Sequence, residues 1–230
     1  MKKVIITQSN YIPWKGYFDS INIADHFIIY DDMQFTKRDW RNRNKIKTKD
    51  GLLWLTVPVE VKGKYFQKIN ETLVSEANWG KQHWKSIYFN YCKAPFFNLY
   101  RDVFEDFYLN NDKKHLTDIN YGLISIICKI LGISTEISFS SDYQLVEGKT
   151  ERLVDLCKKI GATDYYSGPA AKDYMDEALF DAESIKVHYF DYSGYPEYHQ
   201  LFGDFAHDVS IIDLLFNEGE NAKNYMKSFK

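Results

Sequence analysis

Residues 8–47 read QSNYIPWKGYFDSINIADHFIIYDDMQFTKRDWRNRNKIK, and the reading of this stretch decides the fold class. A short apolar run, Val4-Ile5-Ile6, leads into it. A second run, Phe27 to Tyr30, delivers Asp31 and Asp32. Brief apolar runs bounded by polar turns are the pattern of strands buried on both faces, as in parallel sheets. Between them lie Gln8, Tyr11, Pro13, Trp14 and Gly16, then a helical segment. Behind the second run comes a basic loop with Lys37, Arg38, Arg41, Arg43, Lys45 and Lys47, interleaved with Asn42, Asn44, Phe35 and Trp40. Core packing gives no reason to load one connection with so much charge. An anionic ligand does, because ligands of open α/β sheets sit at the loops beyond the strand ends.

Working outward, Leu52 to Val59 is β-rich, with Pro58 marking a strand end or edge. A helical middle follows. Asn78 or Ser75 is placed to cap a helix through Trp79, His83, Trp84, Ile87 and Tyr91. Phe96 to Tyr108 predicts a second helix, and Leu116 to Leu131 a more buried third one stopped at Gly132. Strand and helix signals then alternate again: a strand at Glu136–Phe139, a helix from Glu151 to Ile160 closed by Gly161, a strand at Asp164–Tyr166, and another at Ile185–Phe190. Ser210 to Phe216 begins a last helix. This order predicts an α/β fold: a Rossmann-like parallel sheet flanked by helices. One domain over residues 1–230 is expected, with a helical insertion or cap over about 75–132.

The net charge of −3 and pI of about 6.1 argue against general nucleic-acid binding, which needs a broad cationic surface. A local basic loop on a mildly acidic body suits a phosphorylated small molecule. Cys92, Cys128 and Cys157 are far apart and form no CxxC pair, so they read as free thiols of a reducing compartment. No segment approaches the ~20 apolar residues of a membrane span. The start MKKVIITQSN carries too short an apolar run for a signal peptide. A cytoplasmic location is the expectation, and nothing specifies an oligomeric state.

Candidate chemistry concentrates at the strand ends. Gly16 lets backbone approach a ligand while Trp14 or Tyr11 stacks on a base or sugar; the alternative is a turn that packs its aromatics inward. Gln8 offers an amide. Asp31 and Asp32, adjacent in an extended segment, point to opposite faces. One can bind a hydroxyl or ammonium or act as general base, and the other can cap a turn. Lys37, Arg38, Arg41 and Arg43 suit a pyrophosphate, and Asn42 and Asn44 suit backbone or sugar hydroxyls. The alternative is a solvated charged loop. Lys149 and Arg152 open a helix that could meet phosphate from the other side of the sheet, with Thr150 as an ordinary N-cap otherwise. Ser167 precedes Gly168 at a further strand end. His199 and His207 follow an aromatic loop, and imidazole is the side chain suited to proton transfer at physiological pH, so both are candidate bases, His199 first; His188 reads as a core residue. No metal-ligand spacing, GxSxG elbow, P-loop or GxGxxG fingerprint is present in the sequence.

QSNYIPWKGYF (8–18), DDMQFTKRDWRNRNKI (31–46), WLTVPV (54–59), YYSGPAAKDY (165–174) and SIIDLLFNEG (210–219) occur in that order. By these segments the chain resembles the WbqC-like family of bacterial proteins over nearly its whole length. The resemblance implies a role in surface-polysaccharide (O-antigen, lipopolysaccharide) biosynthesis, with some members described as amino-acid or acyl transferases. One departure is Gln8-Ser9 where the family opens Gln-Pro, which removes a rigid turn but keeps the amide. The strand-turn-Gly-helix opening also looks like nucleotidylyltransferases and pantothenate-synthetase-like ligases. Their His-x-Gly-His signature is replaced by Trp14-Lys15-Gly16-Tyr17, which puts adenylyl transfer in doubt.

The reading these observations support is a transferase or ligase that forms an amide on a nucleotide-linked amino sugar by acyl or aminoacyl transfer. The cofactor is open; ATP is needed only if the acyl donor is activated in place. The alternatives are a non-catalytic nucleotide-sugar-binding module and a glycosyltransferase-like enzyme.

Overall fold

The computed structural model describes residues 1–229, and its centre is a five-stranded parallel sheet. Its strands are β1 (Lys3–Thr7), β2 (His26–Ile29), β5 (Glu136–Phe139), β6 (Asp164–Ser167) and β7 (Lys186–Tyr189), in the spatial order β5-β2-β1-β6-β7. Register places Ile5 beside Phe27 and Tyr166, and Phe27 beside Ile137. Successive side chains of a strand point to opposite faces, and that parity sorts the core into two layers. Ile5, Phe27, Ile29, Ile137 and Phe139 lie on one face, with α1 (Lys15–Ile23), α4 (Leu116–Leu131) and α7 (Ile211–Glu218). The same layer takes in α2 (Trp79–Tyr91) and α3 (Phe97–Asn110). Val4, Ile6, Ile28, Tyr30 and Tyr165 lie on the other face, under α5 (Thr150–Ile160) and α6 (Glu177–Asp181).

The fold is therefore Rossmann-like α/β, as the strand-helix alternation predicts. The helical middle comprises α2, α3 and α4, between the first strands and β5. Gly132 and Gly161 take left-handed conformations, φ 65° and 74°, and close α4 and α5 with backbone hydrogen bonds to carbonyls of the last turn.

Two local expectations change. The stretch 37–47 is only half a loop. Arg43–Thr48 is strand β3, paired antiparallel with β4 (Gly51–Thr56) in a separate two-stranded ribbon. Its alternation is masked in the sequence because Asn44, a polar residue, fills one inward position beside Ile46. Thr150 is not an N-cap: Lys149 holds that position, and the buried Thr150 hydroxyl accepts from the Asp176 N–H at 3.3 Å. Among the described residues, no helix is long and apolar enough to cross a membrane.

Candidate functional site

All five sheet strands run the same way, so their C-terminal ends share one edge. Beyond β1 comes Ser9, and beyond β2 comes Asp31, which is 2% exposed. The Asp31 carboxylate accepts three hydrogen bonds: from Ser9 N–H (2.8 Å), Ser9 Oγ (2.6 Å) and Thr117 Oγ1 in the first turn of α4 (2.7 Å). Asn120, one turn further along α4, donates its amide to Ser9 Oγ and to the Arg41 carbonyl, both at 2.9 Å. Arg41 donates to Asn10 Oδ1. Four chain segments thus meet in one buried polar knot. Burial pushes the Asp31 carboxyl up from its ordinary value; hydrogen bonds from Ser9 and Thr117 and the Arg41 charge oppose this without cancelling it.

Asp32 behaves differently because its partners differ. Its carboxylate accepts from Ser140 Oγ (2.6 Å), Lys68 Nζ (3.2 Å) and Asn70 Nδ2 (3.4 Å). Partial burial pushes its carboxyl up, but Ser140, Lys68 and Asn70 together outweigh burial and hold it below the usual range. The two adjacent acids therefore have separate partners.

A cleft opens on either side of this knot. The first, of about 280 Å³, is lined by Asn10, Pro13, Trp14, Trp40, Asn44, His207 and Asp208. Its rim is cationic and aromatic. Lys45 pairs with Asp208 and lies 5.7 Å from the Trp40 ring centre and 5.3 Å from that of Trp54. The Arg43 guanidinium sits 4.0 Å over Trp54. The second cleft, of about 310 Å³, lies at the ends of β2 and β5 and is lined by Ile29, Asp31, Asn70, His115, Thr117, Asp118, Phe139, Ser140 and Ser141. It offers hydroxyls, carboxylates and one imidazole. Asn10 walls the first cleft and Asp31 the second, so the knot separates them.

The structure brings Trp14, Asn44, Arg41, Arg43 and Asp31 to this edge and sends other candidates elsewhere. Tyr11 is fully buried, its hydroxyl 2.7 Å from His83 Nδ1 and 2.9 Å from Tyr108 Oη; it is a core residue and cannot stack on a ligand. Asn42 is buried with its amide on the Val57 carbonyl at 2.9 Å. Asn44 reaches the first cleft, but its amide is held by the Tyr11 and Ile12 carbonyls. Gly16 makes room for Trp14, not for a ligand: a Cβ there would stand 2.3 Å from the indole. Gln8 uses its carbonyl, which accepts from Tyr17 Oη at 3.1 Å. Lys37 and Arg38 are exposed.

Lys149 and Arg152 do not join the cluster. They belong to α5, on the opposite sheet face, where Lys149 is exposed and Arg152 bonds the Val146 carbonyl and Tyr30 Oη. Ser167 ends β6 and lines neither cleft; its carbonyl accepts from Phe190 N–H at 3.0 Å. His199 is exposed and away from both clefts. Its neighbours Tyr198 and Gln200 turn inward to the buried Asp213, at 2.8 and 2.9 Å, so the residue between them turns out. His207 is the imidazole at the first cleft, set edge-on to Phe205 at 4.5 Å. His188 is not a core residue: its side chain is 37% exposed and bonds Asp164 at 2.7 Å.

Sequence reading missed Ser9, Thr117, Asn120 and His115. Thr117 and Asn120 left a legible trace, two buried polar residues three apart on the apolar face of LTDINYGLI. Among the described residues, no three His, Cys, Asp or Glu side chains stand together as a metal site.

The model of the WbqC-like protein family matches residues 8–225. The chain belongs to that family. A protein of Mycobacterium tuberculosis, described as uncharacterized, is 55% identical over 227 residues, covering 99% of this chain and 98% of its own. No solved structure matches the chain. The matched residues contain the whole polar knot and both clefts.

Proposed function

We propose that this WbqC-like protein is an enzyme of surface-polysaccharide synthesis that acylates or aminoacylates a nucleotide-linked amino sugar, forming an amide. The observation that carries this reading is the pair of chemically different clefts sharing one wall, the Ser9–Asp31–Asn120–Arg41 knot. A transfer reaction needs two substrates held against a common point, and closely placed reactants gain most of their advantage from position.

In this reading the first cleft takes the nucleotide diphosphate. Trp14 and Trp40 stack on the base, and Arg41, Arg43 and Lys45 meet the phosphates. The second cleft takes the sugar end, whose hydroxyls and amine match Ser140, Ser141, Thr117 and Asp31. An ammonium must lose a proton before it can attack a carbonyl carbon. A carboxylate has about four lone-pair positions. Three of those on Asp31 are used, which leaves one for the amine, and burial makes this carboxyl a stronger base than an ordinary one. His115, in the same cleft, is the second group able to accept the proton. The acyl donor brings its own leaving group, or ATP supplies one.

The test combines binding and turnover. Thermal shift with nucleoside diphosphates and nucleotide-linked amino sugars should raise the melting temperature, and Arg41→Ala should weaken that binding about tenfold or more. Mass spectrometry of reactions with acyl and aminoacyl donors should show the amide product. Binding without product from any donor supports a non-catalytic sugar-nucleotide module instead, and absence of both binding and product rejects the assignment.

A further inference from the structure

The β3–β4 ribbon stands apart from the main sheet and carries more exposed apolar surface than its own packing explains. Trp40, Leu52, Leu53 and Trp54 are each 40–42% exposed. Lys45 opposes Trp54 and Lys47 opposes Leu52 across the ribbon, so Trp54 and Leu52 share a face with Arg43 and Lys45. Lys47 is buried with its ammonium on Gln200 and the Asp204 carbonyl, and Leu53, opposite Ile46, lies on the ribbon's other face beside the turn at Asp50. Trp40 joins that face, its ring 5.3 Å from that of Trp54. Around it lie the exposed Lys37, Arg38 and Lys49. Residues 37–50 hold seven Lys and Arg against two Asp, on a chain whose net charge is −3. Lys47, Lys45 and Arg41 are taken up by Gln200, Asp208 and Asn10, which leaves Lys37, Arg38 and Lys49 exposed around the ribbon against the sign of the whole molecule.

We infer that this ribbon docks the protein on an anionic lipid surface. Three occupants fit a basic apolar face, and charge and shape separate them. Nucleic acid would use the cations and the tryptophans, but its backbone offers nothing to Leu52 and Leu53. A second copy in a two-fold contact would set this cationic face against itself. An anionic bilayer uses every exposed part: phosphates for Lys37, Arg38 and Lys49, the headgroup zone for Trp40 and Trp54, and the acyl boundary for Leu52 and Leu53, which flank the two faces of the ribbon's end and enter together when that end dips in. Arg43 and Lys45 belong both to this face and to the rim of the first cleft, so docking would hold that cleft against the bilayer. The inference stands independently of the amide-forming reading, because it rests on exposure and charge alone.

The test is co-sedimentation of the full chain with vesicles of phosphatidylcholine alone and of phosphatidylcholine with phosphatidylglycerol, in low and high salt. The expected result is binding to the anionic vesicles only, weakened by salt, with a blue shift in tryptophan emission. Leu52→Ser with Leu53→Ser, both exposed and thus harmless to folding, should weaken binding about tenfold. Lys49→Glu should weaken it about fivefold or more. Circular dichroism confirms that each variant is folded, and no readout depends on turnover. Three outcomes overturn the inference: no binding to anionic vesicles; binding that the leucine variants leave unchanged, which is electrostatic adsorption only; or a dimer in sedimentation that the leucine variants split, which assigns the face to a second copy.

Discussion

Replacing Asp31 with alanine strands three hydrogen-bond donors at once. Ser9 Oγ and Thr117 Oγ1 can rotate, and the partnerless Asn120 Oδ1 is an acceptor in the same group. The Ser9 N–H cannot rotate, because the backbone between β1 and α1 fixes it. A buried unpaired N–H costs about 1–3 kcal/mol, and each lost hydroxyl bond about 1 kcal/mol, so a total of about 3–5 kcal/mol is expected. For a chain of this size that lowers the melting temperature by about 6–20 °C. Asp31→Asn keeps the shape and isolates the charge. Because burial raises the native carboxyl above its unfolded value of 3.8, its contribution is fully present below that pH and is lost as pH rises through the native value. The stability of the native protein relative to Asp31→Asn should therefore decline as pH is raised from acid toward neutral. Chemical denaturation of the three proteins across pH measures both effects. An Asp31→Ala protein melting within about 2 °C of the native one would falsify the knot as the element holding the two clefts apart. A relative stability that grows with pH would show a carboxylate favoured by its surroundings, and the general-base argument would fail with it.

The other predictions follow from single contacts. Gly16→Ala drives a methyl into the Trp14 indole; the expected cost is about 1–3 kcal/mol, with altered tryptophan emission as the ring leaves the first cleft. An unchanged spectrum and melting curve would refute it. Lys15 is buried among Tyr195, Tyr198 and Phe205 with its ammonium on the Pro196 carbonyl at 2.8 Å, and burial, opposed by Asp19, lowers it to about 8. A lysine with a depressed native value contributes stability above its unfolded value of 10.5 and loses it as pH falls through about 8, so Lys15→Met should flatten the stability profile over that window. Cys128 and Cys157 are buried and pushed up to about 12, whereas Cys92 is exposed. A thiol reagent should titrate one cysteine in the native protein and three after unfolding, and fast labelling of all three without denaturant would contradict the packing.

What could be read from the sequence, and what could not, divides along local and non-local physics. Leu116–Leu131 and Glu136–Phe139 were legible to the residue, because periodicity and a terminal glycine are local signals. Tyr11 was not, because its partners His83 and Tyr108 lie far along the chain, and an aromatic beside Trp14 looks the same whether it meets a base or a core. His199 is turned outward because Asp213 holds its neighbours Tyr198 and Gln200 inward, a long-range contact that nothing local in the sequence shows, whereas His207 reaches the first cleft.

The displacement of Lys149 and Arg152 has a topological cause. The connection from β1 through α1 to β2 moves one way along the sheet. The connections from β5 through α5 to β6, and from β6 through α6 to β7, move the other way. Crossovers between parallel strands are right-handed, so reversing the direction of travel puts the helix on the opposite face. Helix α1 therefore packs with Ile5 and Phe27, and α5 with Val4 and Ile28. The N-terminus of α5 opens under the far side of the sheet, beside Tyr30. A helix start with Lys149 and Arg152 reads as a phosphate site when taken alone. Once β1 is the strand where the order turns, its cations belong to the face that holds neither cleft wall from α4 nor the ribbon. In the proposed reading the phosphates are therefore assigned to Arg41, Arg43 and Lys45, which follow β2 and reach the first cleft without crossing the sheet.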